Sequence, residues 1–365
     1  MLRQLLSLVC LAILAYAAYL WLPQHADTYD PAQSHEQDHA EQASTPSAPK
    51  PPTSKHLERP STAPLRAQSK TSSAALPQTP GRPIVNTLEL QMALARKGFS
   101  PGSIDGTIGT QTRQAIRAYQ IAHNLSPTGE FDVATQAVLQ ITDPIYDLVT
   151  LSQSHFSRID PPPLSWKERA TRSRMAYYSI LEMLAESCMS DPDLLQQLNP
   201  NLDFNALQAD DRILIPNMAP VQLSTRADYL QISLSERTLQ AIDSQGRILF
   251  HCPVSIARRV DKRPSGALHV KVLVEKPNYT FNPAILSSAA AREGITQKFV
   301  IEPGPNNPVG NIWIGLNLPS YGIHGTPEPE KVGRTESSGC FRLANWNAQT
   351  LIDLVEVGTM VQVTP

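Results

Sequence analysis

Several patterns of apolar and polar positions follow one another along the chain. Leu5–Leu22 is apolar except for the Ser7 hydroxyl and the Tyr16 and Tyr19 phenols. At ~1.5 Å per residue such a run is about 27 Å long as a helix, enough to cross a hydrocarbon core. No period survives in residues 23–83. From Val85 to Gln140 apolar residues return at helical spacing, as in Thr112, Ala115, Ile116 and Tyr119, preceded by the glycine-punctuated turn Gly102–Gly109. Tyr178–Pro216 predicts helix, turn, helix and strand, through Ile180-Leu181-x2-Leu184-Ala185, Leu194-Leu195-x2-Leu198 and Arg212–Pro216. From Tyr229 the rhythm changes to two. Leu230, Ile232 and Leu234 alternate with polar residues, and Thr238–Ile242, Arg247–Pro253 and Ala267–Val274 continue the pattern. One helix, Asn345–Val355, closes this region.

The expectation is a multidomain α+β chain. Residues 1–22 read as a membrane anchor or signal peptide and 23–83 as a disordered Pro-rich tether. A small three-helix domain spans 84–142, a linker 143–175, a small α/β module 176–218 and a mostly β domain 226–365. Composition agrees: 32 of 365 residues are proline, and eleven of these precede residue 84. Such a tether cannot bury enough apolar surface to offset its ordering entropy. Ala15-Tyr16-Ala17 resembles a small-x-small cleavage site, but apolar residues continue five positions past it, which favours an uncleaved anchor. Val9 before Cys10 speaks against a lipobox. A net charge of −2 supplies no basic field for a nucleic-acid backbone. The four cysteines form no CxxC pair, which excludes a zinc ribbon, and His25, His35, His39 and His56 in the tether read as solvated.

The informative residues lie in the loops of the β region. Tyr321-Gly322-Ile323-His324-Gly325-Thr326 is followed by Ser337-Ser338-Gly339-Cys340-Phe341-Arg342-Leu343, which places Cys340 sixteen residues after the histidine. Arg263-Pro264-Ser265-Gly266, Pro303–Gly310 and Pro327-Glu328-Pro329-Glu330 accompany them. Together these phrases resemble the L,D-transpeptidase catalytic domain, from about Ala227 to Val363. Residues 85–140 resemble the peptidoglycan-binding three-helix fold, through Leu90-Gln91-x3-Ala95-x2-Gly98-Phe99 and Asp105-Gly106-x2-Gly109-x2-Thr112-x3-Ile116-x2-Tyr119-Gln120. The phrases Leu198-Asn199-Pro200 and Asp211–Pro216 resemble a lysin-motif domain; the same residues also describe a small spacer without a ligand.

The chemistry accounts for the residue types. A thiol near its ordinary pKa is mostly protonated at neutral pH and needs a base to become a nucleophile. The resemblance assigns Cys340 as nucleophile and His324 as base, with a main-chain carbonyl rather than a carboxylate orienting His324. Gly339, Ser338 and Gly325 are the expected oxyanion and loop residues; Gly339 would let the backbone turn so that amides near Cys340 face a developing oxyanion, each such donor being worth ~2.7–4 kcal/mol of barrier. Arg342, Tyr321 and Ser337 are the expected substrate-binding residues. A guanidinium at 342 can grip a substrate carboxylate in two parallel hydrogen bonds, or brace the loop through carbonyls. Ser338 and Phe341 stand where many relatives carry histidine and valine or isoleucine. Trp313 and Tyr321 are candidates for core packing or for cleft walls. Arg258, Arg259, Lys262 and Arg263 form a basic run that reads first as a solvated loop. Cys188 and Cys252 read as buried free thiols.

The resemblance implies acyl transfer from a tetrapeptide stem at its third, diamino-acid residue, with release of D-alanine and no metal or organic cofactor. The acceptor would be another stem, a D-amino acid or an outer-membrane lipoprotein. It further implies carbapenem acylation of Cys340, peptidoglycan stems and glycan as partners, and a periplasmic cell-envelope location tethered to the inner membrane by Leu5–Leu22. Rival readings are a hydrolase of the same bonds, an unrelated cysteine enzyme such as a sortase or papain-like peptidase, and a non-catalytic wall-binding scaffold. The Cys340–His324 pair with its glycines argues against the scaffold, and the Pro303–Gly310 and Ser337–Leu343 phrases against the unrelated enzymes.

Overall fold

A computed structural model describes residues 81–365, apart from Pro220, Ile285 and Ser338. The anchor, nearly all of the tether and Cys10 therefore lie outside the described residues. No helix among the described residues is long and apolar enough to cross a membrane. All described residues belong to one compact unit, Ala74–Pro365.

Three helices, α1 (Thr87–Arg96), α2 (Thr110–Ala122) and α3 (Val133–Val138), build the first domain around Leu90, Met92, Leu94, Ile104, Ile116 and Tyr119. Asn86 caps α1 by accepting from the Glu89 amide, and Asp132 caps α3 by accepting from Thr135. The motif glutamines are structural. Gln91 is 1% exposed and donates to Asp105, Thr107 O and Thr112, while Gln120 is fully buried and donates to Thr128, Glu130 O and Thr135. Each pins a glycine-containing loop to a helix. The domain starts slightly earlier than expected, because Arg82 N–H bonds Ile141 O at 2.9 Å.

The linker expected at 143–175 is a correction. Its residues Tyr146–Thr150 form β1, which pairs antiparallel with β2 (Arg212–Pro216) from Tyr146↔Pro216 to Thr150↔Arg212. With α6 (Ile180–Ser187) and α7 (Pro192–Leu198) they complete a βααβ unit over Leu151, Ile180, Leu184, Leu195, Ile213 and Ile215. The module thus starts at 146 rather than 176, with short helices α4 (Gln153–Phe156) and α5 (Trp166–Thr171) inserted after its first strand. Tyr146–Thr150 is mostly exposed along its length, so it shows no alternation to read.

The last domain is built on an eight-stranded sheet among the described residues: β3 (Tyr229–Ser233), β4 (Thr238–Ile242), β5 (Ile248–Pro253), β6 (Gly266–Glu275), β9 (Ile312–Leu316), β10 (Gly322–His324), β11 (Phe341–Arg342) and β12 (Met360–Thr364). Their order is β11-β10-β9-β6-β12-β3-β4-β5, antiparallel except for the β12–β3 and β10–β11 pairs. The helix α9 (Asn345–Leu354) packs Ala348, Leu351 and Leu354 onto the sheet core. A flap missed by the strand rhythm, made of β7 (Tyr279–Phe281), α8 (Ser287–Glu293) and β8 (Phe299–Ile301), has its own small core at Phe281, Ala289, Ala290 and Ile295. Trp166 of α5 packs against it, 4.8 Å from the Phe281 ring. Cys188 and Cys252 are free and fully buried, and they sit in different cores, which no disulfide geometry spans.

Candidate active site

The short parallel pair β10–β11 organises the site. Ile323 and Phe341 are register partners, and both point into the sheet core. Side chains alternate along a strand, so Gly322, His324, Cys340 and Arg342 share the opposite face. Phe341, 1% exposed, is therefore the floor beneath the nucleophile; its truncation to alanine costs ~3–5 kcal/mol. Gly322 leaves room for a neighbour, because a Cβ there would lie 2.7 Å from the Trp313 ring. Trp313, half-buried, is the register partner of His324 on β9, and its ring stacks on the imidazole at 5.7 Å between centroids. It also lines a cavity of about 520 Å³ with Val274, Tyr279, Pro303 and Val309. Trp313 thus lines this cavity as well as packing on the His324 ring.

The Cys340 thiol donates to Ser320 O at 3.4 Å. Burial pushes its pKa above the ordinary thiol value, while the Gly322 N–H and the Arg342 charge pull the other way. His324 is 6% exposed, and its Nδ1 lies 2.6 Å from Gly325 O. A carbonyl only accepts, so the proton sits on Nδ1 and Nε2 keeps its lone pair. Burial pushes the imidazole pKa down to about 4, which the Gly325 bond partly offsets and the Arg342 charge reinforces. The resting pair is then a neutral imidazole and a protonated thiol, and the thiolate forms on proton transfer.

Asn345, at the start of α9, holds the loop that carries His324. Its Oδ1 accepts from Thr326 N at 3.1 Å and from Asn311 N at 3.3 Å, and its Nδ2 donates to Glu186 Oε2 at 2.9 Å. A Cβ on Gly325 would fall on that Oδ1, and Gly310, at φ +63°, is crowded by both Asn345 and Gly325. The glycines of the His-Gly and Val-Gly phrases are therefore required by the close approach of the Asn345 amide.

Residues 227–363 match the family described as "L,D-transpeptidase catalytic domain". This region is an L,D-transpeptidase catalytic domain. Residues 85–139 match the family "Putative peptidoglycan binding domain". The "Putative L,D-transpeptidase YkuD" of Bacillus licheniformis is 27% identical over 186 residues, covering 51% of this chain and 93% of the relative. The "Probable L,D-transpeptidase YbiS" of Escherichia coli is 37% identical over 185 residues, covering 50% of this chain and 59% of the relative. A solved L,D-transpeptidase from Xylanimonas cellulosilytica aligns over 80% of this chain and all of the other at 15% identity with a TM-score of 0.31.

The transpeptidase domain places the other expected residues as follows. Arg342 is half-buried on the Cys340 face, and its Nε is buried without a hydrogen-bond partner among the described residues. Burial lowers its pKa, with the Glu328 charge opposing. Tyr321 donates its hydroxyl to Lys262 O at 3.0 Å, and its ring edge lies 4.0 Å from where a Gly339 Cβ would be. It ties the Arg258–Arg263 loop to the rim of the cleft. Ser337 departs from its expected substrate contact: it is 6% exposed and its hydroxyl donates to Cys340 O at 2.6 Å, so it braces the nucleophile loop. Gly339 also differs from expectation. Its φ is not in the left-handed region, its amide donates to Ser337 Oγ at 3.3 Å, and a Cβ there would make only an ordinary contact with the Tyr321 ring. Ser338 lies outside the described residues.

The basic run is partly paired: Arg259 meets Asp261 within it at 2.7 Å, while Arg258 at 3.3 Å and Arg263 at 3.8 Å share Glu336. Two site residues escaped the sequence. Ser320, at φ +63°, offers its carbonyl to the thiol from a backbone conformation that costs ~1–3 kcal/mol. Tyr279 of the flap lies close enough to Cys340 that, after burial, the sulfur charge helps push its phenol pKa up. A tyrosine in a strand carries no distinguishing pattern, so nothing in the sequence marks it. Among the described residues no group of three or more His, Cys, Asp or Glu side chains is placed to hold a metal ion.

Proposed function

We propose that the protein is a peptidoglycan L,D-transpeptidase whose nucleophile is Cys340 and whose base is His324. The observation that carries the reading is the shared face of Cys340, His324 and Arg342, with His324 Nδ1 tied to Gly325 O so that Nε2 is left to accept a proton. His324 takes the Sγ proton as sulfur attacks the carbonyl of the third, diamino-acid residue of a tetrapeptide stem. The C–S bond forms, the carbonyl oxygen becomes an oxyanion, and collapse breaks the C–N bond while His324 returns the proton to the D-alanine amine. An amine then attacks the thioester while His324 takes its proton; the new C–N bond forms, the C–S bond breaks, and His324 returns the proton to sulfur to regenerate the thiol. Arg342, with its unpartnered Nε, holds a stem carboxylate; Trp313 and Tyr279 wall the cleft.

The three-helix domain and the βααβ unit, the latter lysin-motif-like, would hold the wall polymer beside this cleft. The protein would work in the periplasm, tethered to the inner membrane by Leu5–Leu22, with a stem, a D-amino acid or an outer-membrane lipoprotein as acceptor. The test is product analysis after incubation with a tetrapeptide-stem disaccharide. Transfer predicts free D-alanine together with a 3→3 cross-linked dimer; free tripeptide as the only acyl product would make the enzyme a hydrolase. Arg342→Lys should raise KM for the stem about tenfold while leaving carbapenem acylation of Cys340 detectable, because an ammonium cannot reproduce the paired hydrogen bonds.

A further inference from the structure

Helix α6 of the βααβ unit turns two carboxylates toward the transpeptidase domain that the reaction has not yet used. Glu182 and Glu186 are four residues apart and so share one helix face. Glu182 accepts from Asn306 Nδ2 at 2.6 Å and from Tyr178 N at 2.8 Å. Glu186 accepts from Tyr177 Oη at 3.0 Å and from Asn345 Nδ2 at 2.9 Å. Each glutamate thus receives a side-chain amide from the neighbouring domain. For Glu182 the connection ends in the Pro303–Gly310 loop, whereas for Glu186 it continues.

A carboxylate only accepts and a backbone N–H only donates, so the Asn345 amide has a single satisfied orientation: NH2 toward Glu186, oxygen toward Thr326 N–H. That N–H belongs to the peptide group joining Gly325 and Thr326. The other end of the same planar group is Gly325 O, which accepts from His324 Nδ1 at 2.6 Å. The links therefore run head to tail: carboxylate, side-chain amide, backbone amide, imidazole. Chains of this kind polarise in one direction, each bond strengthening the next. A negative charge at the Glu186 end makes Gly325 O a better acceptor and favours the imidazolium that His324 becomes during acyl transfer.

We propose that Glu186 is the remote acidic member of the catalytic group, a positioning residue that orients and polarises His324 through Asn345 and the 325–326 peptide. The βααβ unit is then part of the catalytic apparatus rather than only a binding appendage. This rests on the assignment of His324 as the base, but it can be read without any peptidoglycan substrate.

The test is the rate of Cys340 alkylation by iodoacetamide against pH, mapped to the Cys340 peptide, in the full chain and its variants. Glu186→Ala leaves the Asn345 Nδ2 only its longer bond to Pro305 O at 3.3 Å, removes the charged end of the chain, and should slow alkylation by roughly 10- to 100-fold. Glu186→Gln keeps an acceptor for Asn345 and should recover most of that rate. Desolvation raises the Glu186 pKa to about 7 and the Glu182 charge adds to it, while the hydrogen bonds from Asn345 and Tyr177 and the Arg158 charge oppose. The ionised form is lost as pH falls through that value, so the wild-type profile should carry an inflection there that Glu186→Gln lacks. Glu182→Ala breaks an equivalent bond across the same interface and should lower Tm without changing the alkylation profile. Identical profiles for wild type and Glu186→Ala would overturn the proposal. So would equal slowing by Glu186→Ala and Glu182→Ala in step with Tm, which marks a merely structural role. If wild type showed His324-dependent alkylation but turned over no stem peptide, the functional reading would fail and the relay would stand.

Discussion

The three-helix domain and the βααβ unit both dock on the transpeptidase domain, yet they touch it in different ways. The first caps a sheet edge: Ser100 N–H bonds His251 O at 2.8 Å, and His251 N–H bonds Gly98 O at 2.9 Å, which covers the open side of β5. Around this lie Gln111 Nε2 on Val332 O at 2.7 Å and ion pairs Arg334–Asp105 at 3.3 Å and Arg117–Glu236 at 3.5 Å. Such exposed pairs are worth ~0–1 kcal/mol each. None of these contacts includes His324, Cys340 or the peptide that orients the base. The second unit instead sends two carboxylates into the interface, and one of them reaches the His324 loop through a single side chain. A domain that caps an edge can be loosened without disturbing chemistry; one that supplies the end of a hydrogen-bonded chain cannot.

The sharpest way to break the second connection is Gly325→Ala. The new Cβ falls on Asn345 Oδ1 and displaces the amide from Thr326 N–H. Stem turnover should drop by about 100-fold in a protein that still melts cooperatively, since a misplaced base loses its approach geometry.

Acid separates the two interfaces by sign. His251 is 2% exposed, and burial pushes its pKa from 6.5 down to about 4. The unfolded chain binds the proton first, so stability is present above the unfolded value and is lost as pH falls through this window, by roughly 3 kcal/mol for this group. Glu186 runs the other way: with its pKa raised from 4.5 to about 7, it gives up stability as pH rises through that window. Melting curves between pH 4 and 7 should therefore show His251→Leu flattening the acid loss and Glu186→Gln flattening the loss toward neutrality. The smallest effect belongs to Arg334→Ala on the three-helix side. It should cost ~1 kcal/mol or less by thermal melting and leave kcat for stem cross-linking unchanged.

Much of the last domain is legible in sequence because its strands alternate cleanly. Leu230 and Ile232 are fully buried between half-buried neighbours, and the observed β3 starts at Tyr229, where the alternation does. Cys340 and His324 are legible because their glycines leave a recognisable phrase, and the structure gives the physical reason at Gly325 and Gly322. What escaped reading has no local signature. Tyr146–Thr150 is a strand only because Arg212–Pro216 pairs with it. Ser337 looks like a residue poised at a cleft but spends its hydroxyl on Cys340 O. Glu186 sits 138 residues before His324 on another unit, and only tertiary packing brings it to Asn345.

The most direct test of the account is intact-protein mass spectrometry of wild type and Cys340→Ala, each mixed with a tetrapeptide-stem disaccharide and, separately, with meropenem. The account predicts a tripeptide thioester adduct and a carbapenem adduct on wild type, both mapping to Cys340 and both absent from Cys340→Ala. Adducts that persist in Cys340→Ala, or a wild-type protein that takes neither, would contradict it.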